Sequence, residues 1–354
     1  MRFSQKFWAI TFIFSVVSLH SASSKMADVP PPPHPNHVPE QVEQTSGFWF
    51  VEAVTPSMDV RVKLKKIMHE SQSEFQKIQV IDTHSFGRTL VLDSKTQSAQ
   101  LDEFIYHECL VHPAMVLHGN PKTVFIGGGG ELATAREVLK HNTVEKVVMA
   151  DLDQGVVDVS KAMLPEWNAG ASEDPRFELR IGDAHACLKD NPGETYDVII
   201  MDIADPIEAG PGYVLYTEEF YEYAQTKLNP GGVLVTQSGP GSITCYHECF
   251  TAIHNTLRQK FAHVAPYTVD IPSFGCQWAF NVAFNRVPEA RSAAEVLYMG
   301  QKIDDALAAR CTGGELRFYD GTAHAGIFGL PKYLRKYLED DKRVITVDNP
   351  VFMY

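Results

Sequence analysis

After Pro121 the chain alternates short apolar runs with segments of helical character. "KTVFIGGGGELATAREVLKH" reads as a buried strand, a glycine run and a helix, and "EKVVMADLDQGVVDVSKAML" as a second strand ending in acids and a second helix. "FELRIGDAHACL" and "YDVIIMDIADP" add two strands with polar ends, and "GGVLVTQSGPG" a fifth. Strands that alternate with helices form βαβ units, so this part of the chain is held to a mostly parallel sheet with helices on both faces, an α/β fold. Ligands of such sheets sit outside the carboxyl ends of the strands, where the strand order reverses. Glu131, Asp151, Asp183 and Asp202 each fall just after a strand. They are therefore expected to line one crevice.

The flanks read differently. From Gly47 to Gln100 the pattern is strand-like, with "FQKIQVIDT" and "TLVLDSKTQSA" separated by "HSFGR", whose Gly87 suits a turn. This predicts a small antiparallel β-domain over 47–110, a catalytic domain over 111–290 and a C-terminal extension packed on it over 291–354. "DEFIYHECLVHPAMVLHG", Asp102 to Gly119, has apolar positions at helical spacing and a glycine stop. The C-terminal part reads as a helix, a turn around "GGELRFYDG", a short helix "PKYLRKYLED" and an extended end.

Residues 1–46 are expected to be a disordered leader and linker. Arg2 and Lys6 precede an apolar run, Phe7 to Leu19, and small residues, the layout of a signal peptide. That run is short of the ~20 residues that a spanning helix needs, so no membrane partner is expected. "VPPPPHPNHVPEQ" favours an extended polyproline linker. The chain carries no N-x-S/T acceptor, and Met26 offers a second start. A cytoplasmic protein is expected, with a leader-directed secretory or organellar route as the alternative.

A formal net charge of -13 argues against a nucleic-acid partner, which needs clustered Lys and Arg. The six cysteines are scattered, with no CxxC pair, and read as reduced thiols. "CYHEC", Cys245 to Cys249, reads as a helix with buried thiols rather than a metal site, since further ligands are not apparent nearby. No metal is expected.

The acids define what the crevice holds. Asp151 sits where nucleotide-binding folds place a carboxylate on the ribose hydroxyls. Asp183 offers an acceptor to an adenine amino group. "GGGGE" is not GxGxxG and is weak evidence alone. A nucleoside-binding domain of this kind includes methyltransferases using S-adenosylmethionine, but Glu131, Asp202 and Asp205 together would repel that cofactor's carboxylate. A cation without a carboxylate fits better.

With "LDEFIYHECLVHPA", "GGGE", "DLDQ", "DIADPIEAGP", "LNPGGVLVTQSGP", "IPSF" and "GELRFYDG" in this order, the chain resembles the aminopropyltransferases, the spermidine synthases and their relatives, and most closely their thermospermine-forming branch. The resemblance runs from about Trp49 to the C-terminus. It implies a methyltransferase-like Rossmann domain behind a small N-terminal antiparallel β-domain. It also implies transfer of an aminopropyl group from decarboxylated S-adenosylmethionine, a co-substrate rather than a cofactor, to a small-molecule polyamine. Dimers or tetramers are common in the family, which implies a homo-oligomer.

Position by position, the resemblance makes Asp202 the catalytic base, with Tyr106 positioning the amine, and Asp205 an anchor for the acceptor. Gln76 and Asp151 match positions that hold the nucleoside and ribose. Asp183 with Ala184 matches the adenine-contacting pair, and Pro211 the residue packed over the methylthioadenosine. Glu131 matches the acid that captures the aminopropyl ammonium, and Tyr106 with His107 match polyamine contacts. "EAGPGYVLYTEEF" is placed to act as a lid.

Three departures from the common spermidine-synthase pattern favour spermidine over putrescine as acceptor. "GGGEL" stands where GGGDG is usual, "DPIEAGP" is longer than "DPIGP", and Phe274 replaces a common Tyr. The alternatives are a spermidine synthase acting on putrescine, a polyamine N-methyltransferase using S-adenosylmethionine, and a non-catalytic polyamine binder.

Overall fold

The computed structural model describes residues 47–207, 210–285 and 300–353, with the backbone alone described at Pro211. The expected leader and linker, Glu208 and Ala209 of the turn after the acids, and the start of the expected extension lie outside the described residues. The meander comes first: β1 (Trp49–Thr55), β2 (Met58–Gln72), β3 (Lys77–Thr83), β4 (Gly87–Leu92) and β5 (Lys95–Ala99) pair antiparallel in sequence order. "TLVLDSKTQSA" is thus two strands. Asp93 and Ser94 take left-handed φ values of 47° and 68°, the backbone of a tight two-residue hairpin. Asp93 Oδ1 accepts from the Lys77 N–H at 2.8 Å and fixes that turn against β3.

The second sheet follows the helix α1 (Glu103–His118). It comprises β6 (Thr123–Gly128), β7 (Lys146–Asp151), β8 (Phe177–Ile181), β9 (Tyr196–Asp202), β10 (Leu228–Pro240), β11 (His263–Ile271) and β12 (Cys276–Phe284) in the order β11-β12-β10-β9-β6-β7-β8. β6 through β10 pair in parallel, and β12 runs antiparallel to both its neighbours. From β6 the chain winds outward to β7 and β8, then returns to β9 on the other side of β6. The switch point therefore lies between β6 and β9.

Alternation along the central strands feeds two cores. Val124 and Ile126 of β6 with Val198 and Ile200 of β9 face the layer holding α1 and α2 (Ala133–Leu139). Phe125, Ile199 and Met201 face α6 (Glu218–Thr226) and α7 (Phe250–Lys260). With both faces covered, these strands are apolar almost throughout, as a parallel sheet requires.

The meander docks through Ile78, Val80 and Leu90 against Ala133, Val156 of α3 (Gln154–Met163) and Trp167 of α4 (Pro165–Asn168). The Trp167 indole N–H donates to Ser98 Oγ at 2.9 Å, which satisfies a fully buried polar group at that seam.

The C-terminal segments are pinned from inside. The buried Glu108 carboxylate accepts backbone N–H bonds from Arg317, Phe318 and Tyr319, each at 2.8 Å, which holds the "GGELRFYDG" turn. α8 (Gly300–Arg310), α9 (Gly321–Phe328) and α10 (Lys332–Asp340) frame it. Of these, α9 is a helix that the sequence reading leaves out. The last residues return to the turn after β9, where the Met353 N–H donates to the Pro206 carbonyl at 2.6 Å.

"CYHEC" departs from its expected helix. Cys245 and Cys249 are buried, but residues 242–249 form successive turns, and helix begins only at Phe250. The Tyr246 N–H donates to the Ser242 carbonyl and the Glu248 N–H to the Cys245 carbonyl, at 2.8 and 2.9 Å, and the Ser242 and Thr244 hydroxyls engage Cys245 Sγ at 3.0 and 3.4 Å. Among the described residues no helix is long and apolar enough to cross a membrane.

Candidate active site

The turn from β6 to α2 passes between two carboxylates. A Cβ at Gly128 (φ +82°) would lie 2.0 Å from the Asp202 carbonyl oxygen, and one at Gly130 would lie 2.9 Å from Asp151 Oδ2. Only glycine brings backbone this close to both strand ends. Leu132, where the common pattern has glycine, itself adopts φ 74° and buries its side chain completely.

Around this turn a cavity of about 400 Å³ opens at the carboxyl ends of the strands. Its walls carry Asp93, Glu131, Asp151, Asp153, Asp183, Asp202 and Asp205, and no Lys or Arg among the described lining residues. The four strand-end acids do share one crevice.

Asp202 ends β9. Its Oδ1 accepts from the Tyr106 hydroxyl at 2.7 Å, and its Oδ2 from Thr134 Oγ1 at 2.5 Å. Burial, then the charge of Glu131, lifts its carboxyl to about 6, against the pull of His107 and of these two donors. Burial, then the Asp202 charge, keeps the Tyr106 phenol protonated well above its ordinary range. Thr134 is a site residue that the sequence reading misses.

Asp205 lies three residues on. It accepts from Gln237 Nε2 at 3.0 Å, and Gln237 is in turn set by the Trp278 indole N–H, which donates to its Oε1 at 3.1 Å. Burial raises the Asp205 carboxyl to about 6 in spite of that hydrogen bond. Phe274 stands edge-on to Tyr106 and Trp278, with centroids 5.8 and 4.7 Å apart, and closes this end with an apolar wall. Gln237 and Trp278 are further lining residues without a signal of their own in the sequence.

The other end is built for a different group. Asp151 closes β7, and burial raises its carboxyl to about 7 against the hydrogen bond from the Asp153 N–H, with the Glu131 charge adding to the rise. Asp153 Oδ2 accepts from Ser73 Oγ at 2.6 Å and Gln76 Nε2 at 3.0 Å, while its Oδ1 caps α3 by accepting from the Gly155 N–H at 2.9 Å. Gln76 thus lines the cavity with its amide oriented by Asp153. Asp183 caps α5 (Ala184–Asp190) through the Ala186 N–H at 2.7 Å, and Asp183 and Ala184 both line the wall. Pro211 opens the turn Pro211–Tyr216, and its side chain lies outside the described residues.

His107 is placed differently from its expected contact with a polyamine. The ring is fully buried and absent from the cavity wall, with Nε2 3.1 Å from Glu131 Oε1 and Nδ1 2.8 Å from Glu103 Oε2. Adjacent helical residues point about 100° apart, and here Tyr106 reaches the cavity while the His107 ring lies behind Glu131.

Two clusters place metal-type ligands within 4.8 Å of one another: His107, Glu131 and Asp202, and His112, His141 and Cys311. In the first, both imidazole nitrogens already face carboxylates. In the second, His112 Nδ1 and His141 Nε2 share a hydrogen bond of 2.9 Å, and the charges of Arg310 and Lys140 bear on His141.

The methyltransferase-like sheet carries at its switch point a carboxylate-walled cleft, a site whose charge suits a cation. The profile of the spermine/spermidine synthase domain matches residues 103–292, and that of the spermidine synthase tetramerisation domain residues 48–100. A polyamine aminopropyltransferase of Aeropyrum pernix is 42% identical over 307 residues, 86% of this chain and 95% of that protein. Thermospermine synthase ACAULIS5 of Arabidopsis thaliana is 41% identical over 312 residues, 88% and 89% of the two chains. The crystal structure of spermidine synthase from Thermotoga maritima superposes with a TM-score of 0.72 at 26% identity, covering 85% of this chain and 98% of that one. A spermidine synthase in complex with the transition state analogue AdoDATO gives 0.73 at 28%, with the same coverage. The chain belongs to the spermine/spermidine synthase family and is a polyamine aminopropyltransferase.

Proposed function

We propose that the enzyme transfers the aminopropyl group of decarboxylated S-adenosylmethionine to spermidine, forming thermospermine, or spermine if the other end reacts, and methylthioadenosine. The observation that carries this reading is the charge of the cavity: seven carboxylates and no described lining cation suit a cationic donor and a polycationic acceptor. The donor's nucleoside belongs to the end with Gln76, Asp151, Asp183 and Ala184, and its aminopropyl ammonium to Glu131.

An ammonium is no nucleophile, so one acceptor nitrogen must first lose a proton. Asp202 takes it, as a carboxylate whose raised affinity for protons brings it nearer to neutral pH. The freed amine attacks the carbon next to the sulfonium. As the C–N bond forms, the C–S bond breaks and its electron pair leaves on sulfur as a neutral thioether. Asp205 and Glu131 hold the remaining ammonium groups, and Tyr106 keeps Asp202 aligned. Alignment supplies much of the rate, because the leaving group is already activated.

Spermidine is preferred over putrescine because the acceptor end is walled by Phe274 and Trp278, apolar surface suited to a longer methylene chain. The match of residues 48–100 to a tetramerisation domain supports a homo-oligomer. The test is to incubate the protein without residues 1–26 with each donor and each amine, and to resolve the product isomers by chromatography. Turnover with S-adenosylmethionine but not with its decarboxylated form would overturn the reading, and a preference for putrescine would make the enzyme a spermidine synthase.

A further inference from the structure

Behind the cavity wall, charges alternate in a line that the transfer reaction as derived does not use. Glu131 Oε1 meets His107 Nε2 at 3.1 Å, and His107 Nδ1 meets Glu103 Oε2 at 2.8 Å and the Glu103 carbonyl at 2.7 Å. Glu103 is then gripped by both terminal nitrogens of Arg136, Nη1 to Oε1 at 3.2 Å and Nη2 to Oε2 at 2.9 Å. Arg136 is fixed in turn by Nε to Glu137 Oε1 at 2.8 Å and Nη1 to the Trp167 carbonyl at 3.2 Å. A guanidinium held by a two-pronged carboxylate and a carbonyl has little freedom to turn.

We propose that Glu103 and Arg136 are positioning residues: they hold the His107 ring as an imidazolium whose Nε2–H aims Glu131 into the cavity. The argument is one of donors and acceptors. His107 Nδ1 faces the Glu103 carbonyl, which can only accept, and so carries hydrogen; Nε2 faces Glu131, and with that carboxyl ionised, as capture of an ammonium requires, Nε2 carries hydrogen too and the ring is a cation. Burial opposes that charge, yet the hydrogen bonds to Glu103 and Glu131 outweigh it and lift the ring to about 10.

The other groups that bear on it are Asp202, whose carboxylate also feels the ring's charge, and Tyr106, edge-on at 5.1 Å. Without the imidazolium, Glu131 would stand beside Asp202 and Asp151 with no counter-ion. Such crowded carboxylates protonate or turn away. Arg136 matters because it neutralises Glu103, so a net neutral row, anion to cation to anion to cation, crosses from the glycine turn through α1 to α2.

This inference rests on the role given to Glu131, capture of the donor's aminopropyl ammonium. The experiment therefore compares two ligands that differ in that group: decarboxylated S-adenosylmethionine, which carries it, and methylthioadenosine, which does not. By calorimetry, Glu103→Gln should weaken binding of the former roughly tenfold, the loss of one charge-assisted hydrogen bond, and leave the latter within about twofold. Arg136→Gln should act in the same direction, and Arg136→Lys less.

Equal loss for both ligands, or no loss for either, overturns the proposal. If the unaltered enzyme binds both ligands equally, the role of Glu131 has failed instead. A measurement free of folding effects is the imidazole ¹⁵N spectrum of the unaltered protein at pH 8. His107 should show two protonated nitrogens, and a neutral ring overturns the proposal.

Discussion

Thr134 Oγ1 donates to Asp202 Oδ2 at 2.5 Å, reaching the carboxylate from the first turn of α2 while Tyr106 holds the other oxygen from α1. The two donors fix the plane of the carboxyl and lower its proton affinity against burial. Thr134→Val removes one of them without a change of size. The acid limb of the kcat profile should then move to higher pH, because Asp202 holds its proton more tightly, and kcat at pH 7 should fall by about two- to tenfold. A profile unchanged from the native enzyme would separate Thr134 from the reaction.

Asp202→Asn tests the base itself. Asn keeps an oxygen for Tyr106 and an amide for Thr134, so the cavity should keep its shape. Binding of methylthioadenosine by calorimetry should be preserved, while turnover falls by on the order of 10²–10⁴-fold, the range for a positioned base. Turnover within a few-fold of native would remove Asp202 from that role.

How much of this was open to a reader of the sequence depends on what kind of pattern each residue obeys. Asp151, Asp183 and Asp202 follow apolar strands, and strand ends of a parallel sheet converge whatever the loops do. Asp153 and Thr134 carry no such mark: one looks like an ordinary helix cap in "DLDQ", and the other is one small residue in "ELATAR". Their roles exist only because the turn between β2 and β3, with Ser73 and Gln76, and the end of β9, with Asp202, come up against them in space. His107 is adjacent to Tyr106 in sequence, yet its ring lies behind Glu131 rather than on the cavity wall, a placement that sequence order does not show. Cys245 and Cys249 are buried but stand in turns rather than in a helix, a difference that their spacing does not show.

Burial of the same carboxylates costs stability. A folded pKa of about 6 for Asp202 lies above the ordinary carboxylate range, so between about pH 4 and 6 the folded protein holds a proton that the unfolded chain has lost. This contribution falls as pH rises through that window and is fully lost above about pH 7. Histidines kept neutral by burial, such as His254 at about 4, tilt the whole curve the other way. The informative quantity is therefore the difference between the native enzyme and Asp202→Asn. The variant's advantage should grow from pH 5 to pH 8 by about 1 kcal/mol, after discounting for water in the cavity, and the two should converge only near pH 3, where Asp202 is protonated in both states. Thermal melts without ligand at pH 5 and pH 8 measure this, and an advantage that does not grow would contradict it.

Leu132 offers the clearest test of backbone strain near the site. Its φ of 74° and ψ of 0° lie in the left-handed region, which costs a branched side chain about 1–2 kcal/mol. Its side chain is fully buried in the core shared by α1 and the sheet, and that burial offsets the strain. Leu132→Ala should cost about 2–5 kcal/mol, because the packing is lost while the strained backbone remains. Leu132→Gly loses one more methyl but gains a backbone that glycine adopts freely. In an ordinary helix the glycine variant would be the worse by roughly 0.5–1 kcal/mol. Here the order should level or reverse, with Leu132→Gly at least as stable as Leu132→Ala in urea unfolding. If glycine still trails alanine by the usual margin, the left-handed turn stores no strain, and the leucine is held by its packing alone.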